Sequence, residues 1–163
     1  FLMHGNRDFL IGEAFANEVS ISILPDPYTL DINGMKTILS HGDFFCTDDV
    51  DYIEFRNKVR SEKWQKDFLS KSIDERNEIA NSLRSDSRDA TSEKSLEITD
   101  ANLETVNNFI QENNPDIFIH GHTHRPKIHQ HNLTKRVVLG DWDKYGWYLS
   151  IEENSLNLKE FKI

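Results

Sequence analysis

A predicted helix followed at once by a short apolar strand places this chain among the α/β proteins. Residues 100–113 carry apolar side chains at helical spacing, and Thr99 or Asp100 is placed to cap the helix. Pro115 ends the helix, and residues 116–120 then form an apolar run. A helix that leads directly into a buried strand is typical of sheets covered by helices. We therefore expect a layered α/β fold.

A hairpin is predicted earlier in the chain. Residues 28–32 and 35–40 form two alternating runs, and Asn33-Gly34 joins them. Both turn residues accept positive φ, which a tight hairpin turn requires. The second strand leads into the polar cluster His41-Gly42-Asp43. Further short strands are predicted over 21–24, 136–139, 147–151 and 156–161.

Residues 50–95 differ from the rest of the chain in composition. They are predicted to be helical, with thin apolar stripes surrounded by charges. Residues 56–94 hold ten Lys and Arg against eight Asp and Glu, whereas the whole chain has a net charge of −9. One interpretation is a solvated helical hairpin, and the other is an inserted lid whose basic rim covers an anionic ligand. The acidity of the whole chain argues against a nucleic-acid partner.

Three polar clusters each follow a predicted strand: Asn6-Arg7-Asp8, His41-Gly42-Asp43 and His122-Thr123-His124. Any one of them alone would more often be structural. Together they offer imidazole, carboxamide and carboxylate groups, which bind divalent first-row metals. The His-x-His pair directs both rings to one side if the segment is extended. Because Cys46 is the single cysteine, an open hydrolytic site is favoured over a thiolate zinc site.

These clusters resemble the last three metal motifs of the calcineurin-like metallophosphoesterases, and the resemblance runs from Phe1 nearly to the C-terminus. It implies a two-sheet α/β sandwich flanked by helices, with a core of residues 1–49 and 96–163 and an inserted helical lid of residues 50–95. Arg7 stands where the family usually has His. The family's two preceding motifs, Asp-x-His and Gly-Asp, do not occur. We therefore expect this chain to be the C-terminal two thirds of such an enzyme, active only together with the N-terminal segment.

The longer strings around the motifs resemble one branch of that family. They are residues 4–12, residues 41–43 followed by 46–49, and residues 120–126. Members of the branch hydrolyse the diphosphate of a lipid-linked nucleotide sugar, UDP-2,3-diacylglucosamine, to UMP and 2,3-diacylglucosamine 1-phosphate in lipid A biosynthesis. The resemblance implies a hydrolase acting on an acid anhydride, with two divalent metal ions, usually Mn²⁺. It also implies a cytoplasmic protein that makes transient, peripheral contact with the inner membrane, and it leaves the oligomeric state open.

The resemblance also implies metal ligands and a catalytic residue. Asn6, His41 and His122 would bind one metal, and His124 would bind the other. Arg7 would pair bidentately with a phosphate and stabilise developing charge. The alternative for Arg7 is a structural ion pair with Asp8.

The substrate contacts that the resemblance implies are Asn6, Arg7, Asp49, Ser87, Thr91, Lys94 and His122. Three of these contacts, Ser87, Thr91 and Lys94, lie in the lid. Their spacings of four and three residues put them on one helix face. A solvated polar stripe is the alternative for that face. Apolar side chains of the lid either receive the acyl chains or are buried in the core; they are Trp64, Phe68, Leu69, Ile79 and Leu83.

Other polar residues receive supporting roles. His120 is expected to support its loop rather than bind metal, and Asp8 and Asp43 are expected to orient metal ligands. His129 and His131 are expected to be solvent-facing loop residues. Asp141 and Trp142 have no assignment.

Two other functions remain open at this stage. One is a phosphoesterase of the same superfamily that acts on a soluble nucleotide or nucleotide sugar. The other is a non-catalytic binding module, if the two preceding motifs are truly absent from the natural protein. An enzyme that binds the lipid-linked substrate should lose rate on a deacylated substrate. An enzyme of the first alternative should not.

Overall fold

The computed structural model describes residues 1–95, 97–152 and 155–163, without the side chains of residues 88–93. The chain forms two compact units. Residues 1–45 and 101–163 form the first, here called the sheet unit, and residues 46–100 form the second, here called the helical unit. The predicted lid lies inside the helical unit, and its action as a lid stays a prediction.

The sheet unit contains a five-stranded sheet with the order β3-β4-β5-β7-β6. Three of its strands, β4, β5 and β7, run parallel to one another, and an antiparallel strand closes each edge. Two further pairs, β1 with β2 and β8 with β9, complete the unit. The elements are β1 (Leu2–Met3), α1 (Glu13–Glu18), β2 (Ile23–Leu24), β3 (Tyr28–Ile32), β4 (Met35–Ser40), β5 (Ile117–His120), β6 (Lys127–His131), β7 (Thr134–Val138), β8 (Tyr145–Glu152) and β9 (Ser155–Lys162).

The predicted hairpin is confirmed as β3 and β4. The strands pair antiparallel, with Ile32 opposite Met35. Asn33 and Gly34 both have positive φ, 55° and 78°, as the two-residue turn requires. The hairpin places β4 inside the sheet, between β3 and β5.

The predicted helix is α5, Leu103–Asn113, and it packs on one face of the five-stranded sheet. Its cap is Asn102, whose Oδ1 accepts the Thr105 backbone N–H at 2.9 Å. The expectation of a cap at Thr99 or Asp100 is wrong, because the backbone N–H of Asn102 donates to Phe45 O at 2.8 Å and sets where the helix begins. The core on this face comprises Ile38, Phe45, Ala101, Val106, Ile110 and Phe118.

The opposite face of the sheet is covered by the β8–β9 hairpin. Ile117, Ile119 and Val137 are buried there. Packed against them are the hairpin residues Leu149, Ile151, Leu156 and Leu158. A helix, a mixed sheet and a second β layer thus stack in order, which confirms the layered α/β fold expected from the sequence.

The structure differs from the sequence-based expectation at β6. His129 and His131, expected to be solvent-facing loop residues, lie on this edge strand and pair with Arg136 and Thr134 of β7. The segment carries polar residues at most positions, because only one edge of it is paired and part of it faces solvent. His129 and His131 are therefore strand residues of the sheet edge rather than loop residues.

The helical unit consists of α2 (Val50–Val59), α3 (Glu62–Ser70) and α4 (Ile73–Glu93). Asp49 and Ser61 cap the first two helices. Its buried apolar residues include Cys46, Val59 and Phe68, and Trp64 stacks on Phe68 with ring centroids 5.0 Å apart. Among the described residues, no helix is both long and apolar enough to cross a bilayer.

Candidate metal centre

The site is built at the carboxyl ends of β4 and β5. These strands are parallel neighbours, and their last residues, Ser40 and His120, are in register. The next residues, His41 and Gly121, therefore leave the sheet side by side, and Gly121 N donates to His41 O at 3.1 Å. Strand ends that meet at one edge bring residues distant in sequence into one cluster.

The structure brings His41 and His122 together. Their ring centroids lie 5.0 Å apart in an edge-to-face arrangement. His122 has φ of 64° and His124 has φ of 53°, so the segment bends through the left-handed region. The expectation of an extended His-x-His segment is wrong, because the chain turns after Gly121. Backbone strain of this kind, about 1–3 kcal/mol per residue, is typical of functional loops.

The loop that carries Asn6 lies against the His41 ring. A Cβ placed on Gly5 would fall 3.2 Å from Cε1 of His41, so only glycine allows this approach without displacement. Hydrogen bonds within the loop hold it: the Gly5 backbone N–H donates to Asp8 Oδ1, and His4 Nε2 donates to Ile11 O at 2.7 Å. Asn6 follows Gly5 directly and is exposed.

The His122 ring is held neutral at physiological pH. Burial, followed by the positive charge of His41 and smaller contributions from His124 and His120, lowers its pKa to about 4, while Asp43 acts in the opposite direction. A metal-binding imidazole has to be deprotonated. His122 is therefore ready to ligate without releasing a proton near pH 7.

Asp26 supports the site, and sequence reasoning missed it. Its Oδ2 accepts the backbone N–H of His41 at 3.2 Å. Its Oδ1 is buried and has no hydrogen-bond partner within residues 1–95, 97–152 and 155–163. No local signal marks Asp26, because the contact depends on how the segment before β3 meets β4. Asp43, which is expected to orient a metal ligand, is fully buried.

Arg7 is exposed beside Asn6. In the part of the chain that the structure describes, it forms no ion pair, and Asp8 instead accepts from the Gly5 backbone. The alternative of a structural Arg7–Asp8 pair is therefore not supported. Its guanidinium is available to an anionic ligand.

The predicted substrate residues of the helical unit have partners of their own. Asp49 Oδ1 accepts the Tyr52 backbone N–H at 3.1 Å and pairs with Lys94 Nζ at 2.5 Å. Ser87 lies exposed in α4, and Lys94 follows the end of that helix. The side chain of Thr91 lies outside the described residues. Asp49 and Lys94 thus tie together the two ends of this unit.

The donor set suits part of a metal centre. Within the described ranges, no group of three or more His, Cys, Asp and Glu side chains is arranged to hold a metal. The His41–His122 pair, with the carboxamide-bearing loop at Gly5 against it, supplies nitrogen and oxygen donors that first-row divalent metals accept. These residues fit a partial set of ligands.

Comparison with known proteins places the chain in a family. The family model for calcineurin-like phosphoesterases matches residues 1–126, and the chain belongs to that family. Proteins named UDP-2,3-diacylglucosamine hydrolase are similar over nearly the whole chain. Those of Pseudomonas fluorescens (strain Pf0-1) and Tolumonas auensis are 39% and 41% identical over 99% and 97% of it.

The chain spans about two thirds of the length of these relatives, 66% in both cases. The relative from Chromohalobacter salexigens is 40% identical, and the match covers 68% of it. Among solved structures, an archaeal phosphodiesterase matches 99% of this chain and 67% of its own, with 12% identity and a TM-score of 0.47.

Proposed function

We propose that this chain carries part of the active site of a metal-dependent hydrolase that cleaves the diphosphate of UDP-2,3-diacylglucosamine. The products are UMP and 2,3-diacylglucosamine 1-phosphate. The observation that carries the proposal is the His41–His122 pair at the shared edge of β4 and β5. The identity of 39–41% with relatives named for that substrate supports it.

The proposed metal ligands are assigned around the same edge of β4 and β5. Asn6, His41 and His122 hold one divalent ion, and His124 contributes to a second. The close approach of the Gly5 loop to His41 and the neutral His122 ring support this assignment. Manganese is proposed as the native metal, since mixed carboxamide and imidazole donors accept it.

The proposed reaction gives Arg7, Asn6 and His122 defined roles. When bound, the metals supply Lewis-acid activation of the attacking water and of the phosphoryl group. Arg7 holds the phosphate nearer the uridine by paired N–H donors and stabilises the charge that develops on its oxygens. Asn6 and His122 contact both metal and substrate.

The helical unit supplies the remaining substrate contacts. Lys94, with Asp49 beside it, offers an ammonium group held in place by an ion pair. Ser87 and Thr91 on α4 add hydroxyl groups. The basic residues of 56–94 suit a surface that visits anionic lipid on the cytoplasmic face of the inner membrane, where a diacylated substrate resides.

The test is release of UMP by the natural protein with Mn²⁺ present. His41→Ala should abolish release, because it removes a ligand at the centre of the site. His129→Ala is the matched control and should keep full activity, since His129 lies on β6 outside the cluster. Undiminished release by His41→Ala would contradict the proposal. Equal rates on acylated and deacylated substrate would favour a soluble nucleotide sugar instead.

A further inference from the structure

His120 lies beneath both histidine loops. It is the last residue of β5, is 1% exposed, and packs with its ring centroid 5.2 Å from that of Phe118. A Cβ placed on Gly42, which has φ of 101°, would fall 2.8 Å from His120 Nδ1. The ring therefore lies directly against the backbone that follows His41. The same Nδ1 lies 3.0 Å from the carbonyl oxygen of Gly121, which precedes His122.

Arg136 of β7 approaches the other side of this ring. The residue is 4% exposed, and its Nη1 lies 3.4 Å from His120 Nε2. Its positive charge also acts on His131, whose pKa is lowered by burial and then by Arg136. A guanidinium carries only donors and does not lose its proton in proteins.

The chemistry of this contact favours one tautomer of His120. Because Arg136 can only donate, Nε2 of His120 accepts and carries no proton. A neutral imidazole then carries its proton on Nδ1, and Nδ1–H donates to Gly121 O. One side chain thus fixes the hydrogen bond that His120 makes to the loop of His122.

We propose that Arg136 is a positioning residue for the metal centre: it holds His120 as the Nδ1–H tautomer, and His120 in that form keeps the loops of His41 and His122 in place. Without the guanidinium, the Nε2–H tautomer becomes accessible, and an unprotonated Nδ1 then faces the lone pairs of Gly121 O. The loop of His122 moves in response. The effect on metal affinity rests on the proposed function, whereas the tautomer does not.

The first measurement is the tautomer of His120 by ¹⁵N and ¹³C NMR of histidine-labelled protein, with the signal assigned through His120→Asn. The parent chain should show the Nδ1–H form. Arg136→Met should shift the population toward Nε2–H. Lys135→Met is the matched control, since it removes an exposed cation from the same strand, and it should leave the tautomer unchanged.

The second measurement is Mn²⁺ affinity, followed by the EPR signal of the free ion. Arg136→Met should bind about tenfold to a hundredfold more weakly, the usual effect of losing a residue that orients a ligand. Circular dichroism and thermal unfolding establish that each variant folds. His120→Asn keeps a donor near the Nδ1 position and should bind better than His120→Gln, which places its amide near Nε2.

If the NMR spectrum of the parent chain shows His120 in the Nε2–H form or doubly protonated, that result alone overturns the proposal. Unchanged tautomer and unchanged affinity in a folded Arg136→Met would also overturn it. A parent chain that binds no Mn²⁺ would contradict the proposed function instead, and the tautomer measurement would still decide the role of Arg136.

Discussion

The sheet unit and the helical unit place their polar residues in different ways. In the sheet unit, His41 and His122 follow strands whose residues are mostly buried, so the positions of their loops are set by the core. In the helical unit, helix α4 has a thin apolar face, and Asp49 and Lys94 pair with each other. The comparison teaches that the core of a packed sheet fixes polar residues at strand ends, whereas polar residues on the less buried helices depend on partners within their own unit.

The largest effect is expected when a phenylalanine is replaced in each unit, which compares how tightly the two units are packed. Phe118→Ala in the sheet unit should lower the free energy of unfolding by about 3–5 kcal/mol, because Phe118 is fully buried. Phe55→Ala in α2 should cost less than about 2 kcal/mol, because Phe55 is only partly buried. Urea denaturation measures both. Equal losses would remove the distinction between the two units.

Acidification should weaken the sheet unit through His122. Its pKa is about 4 in the folded chain, against 6.5 for an unperturbed histidine, so the unfolded state binds more protons between these values. The free energy of unfolding should therefore fall as the pH falls through this window, by up to roughly 3 kcal/mol. Unfolding titrations at about pH 7 and about pH 4.5 with EDTA measure the loss. His122→Asn should reduce the pH dependence, and a dependence as steep as the parent's would contradict the assignment.

Breaking the ion pair should loosen the helical unit alone. Lys94→Met leaves the buried Asp49 without its ammonium partner, at a cost of about 1–3 kcal/mol. Hydrogen exchange in α2 should speed up, because Asp49 also caps that helix. Lys66→Met is the control, since Lys66 forms an exposed pair with Glu62. Faster exchange in β4 and β5 to the same degree would show that the units are not distinct.

The smallest expected effect compares two helix caps. Asn102→Ala removes the acceptor for Thr105 N at the start of α5 and should cost about 1 kcal/mol. Ser61→Ala removes the cap of α3, where the bond to Trp64 N is 3.3 Å and exposed, and should cost about 0.5 kcal/mol. Thermal unfolding ranks the two. A larger loss for Ser61→Ala would reverse the comparison.

Local sequence signals predict the parts of the fold that depend on neighbours in the chain. The β3–β4 hairpin, helix α5 and strand β5 follow from alternation, helical spacing and the Asn33-Gly34 turn. The cap at Asn102 and strand β6 were missed, because the first depends on a hydrogen bond to Phe45 and the second on pairing with β7.

For the candidate site, the sequence indicates residues that the structure brings together but not the local geometry around them. The strand-end motifs marked His41 and His122, which the structure brings together. The left-handed backbone at His122 and the contact of Asp26 with His41 have no local signal, since both arise from the way separate segments meet. The roles of Asp49, Ser87, Thr91 and Lys94 in binding substrate stay predictions.

The most direct test of the metal centre is paramagnetic broadening by Mn²⁺ in NMR spectra of the histidine-labelled chain. The chain has seven histidines, and those on β6 serve as internal references. At low Mn²⁺, the ring signals of His41 and His122 should broaden first, while those of His129 and His131 stay sharp. Broadening that begins at His129 and His131, or that is uniform over all the rings, would contradict a metal site at the edge of β4 and β5.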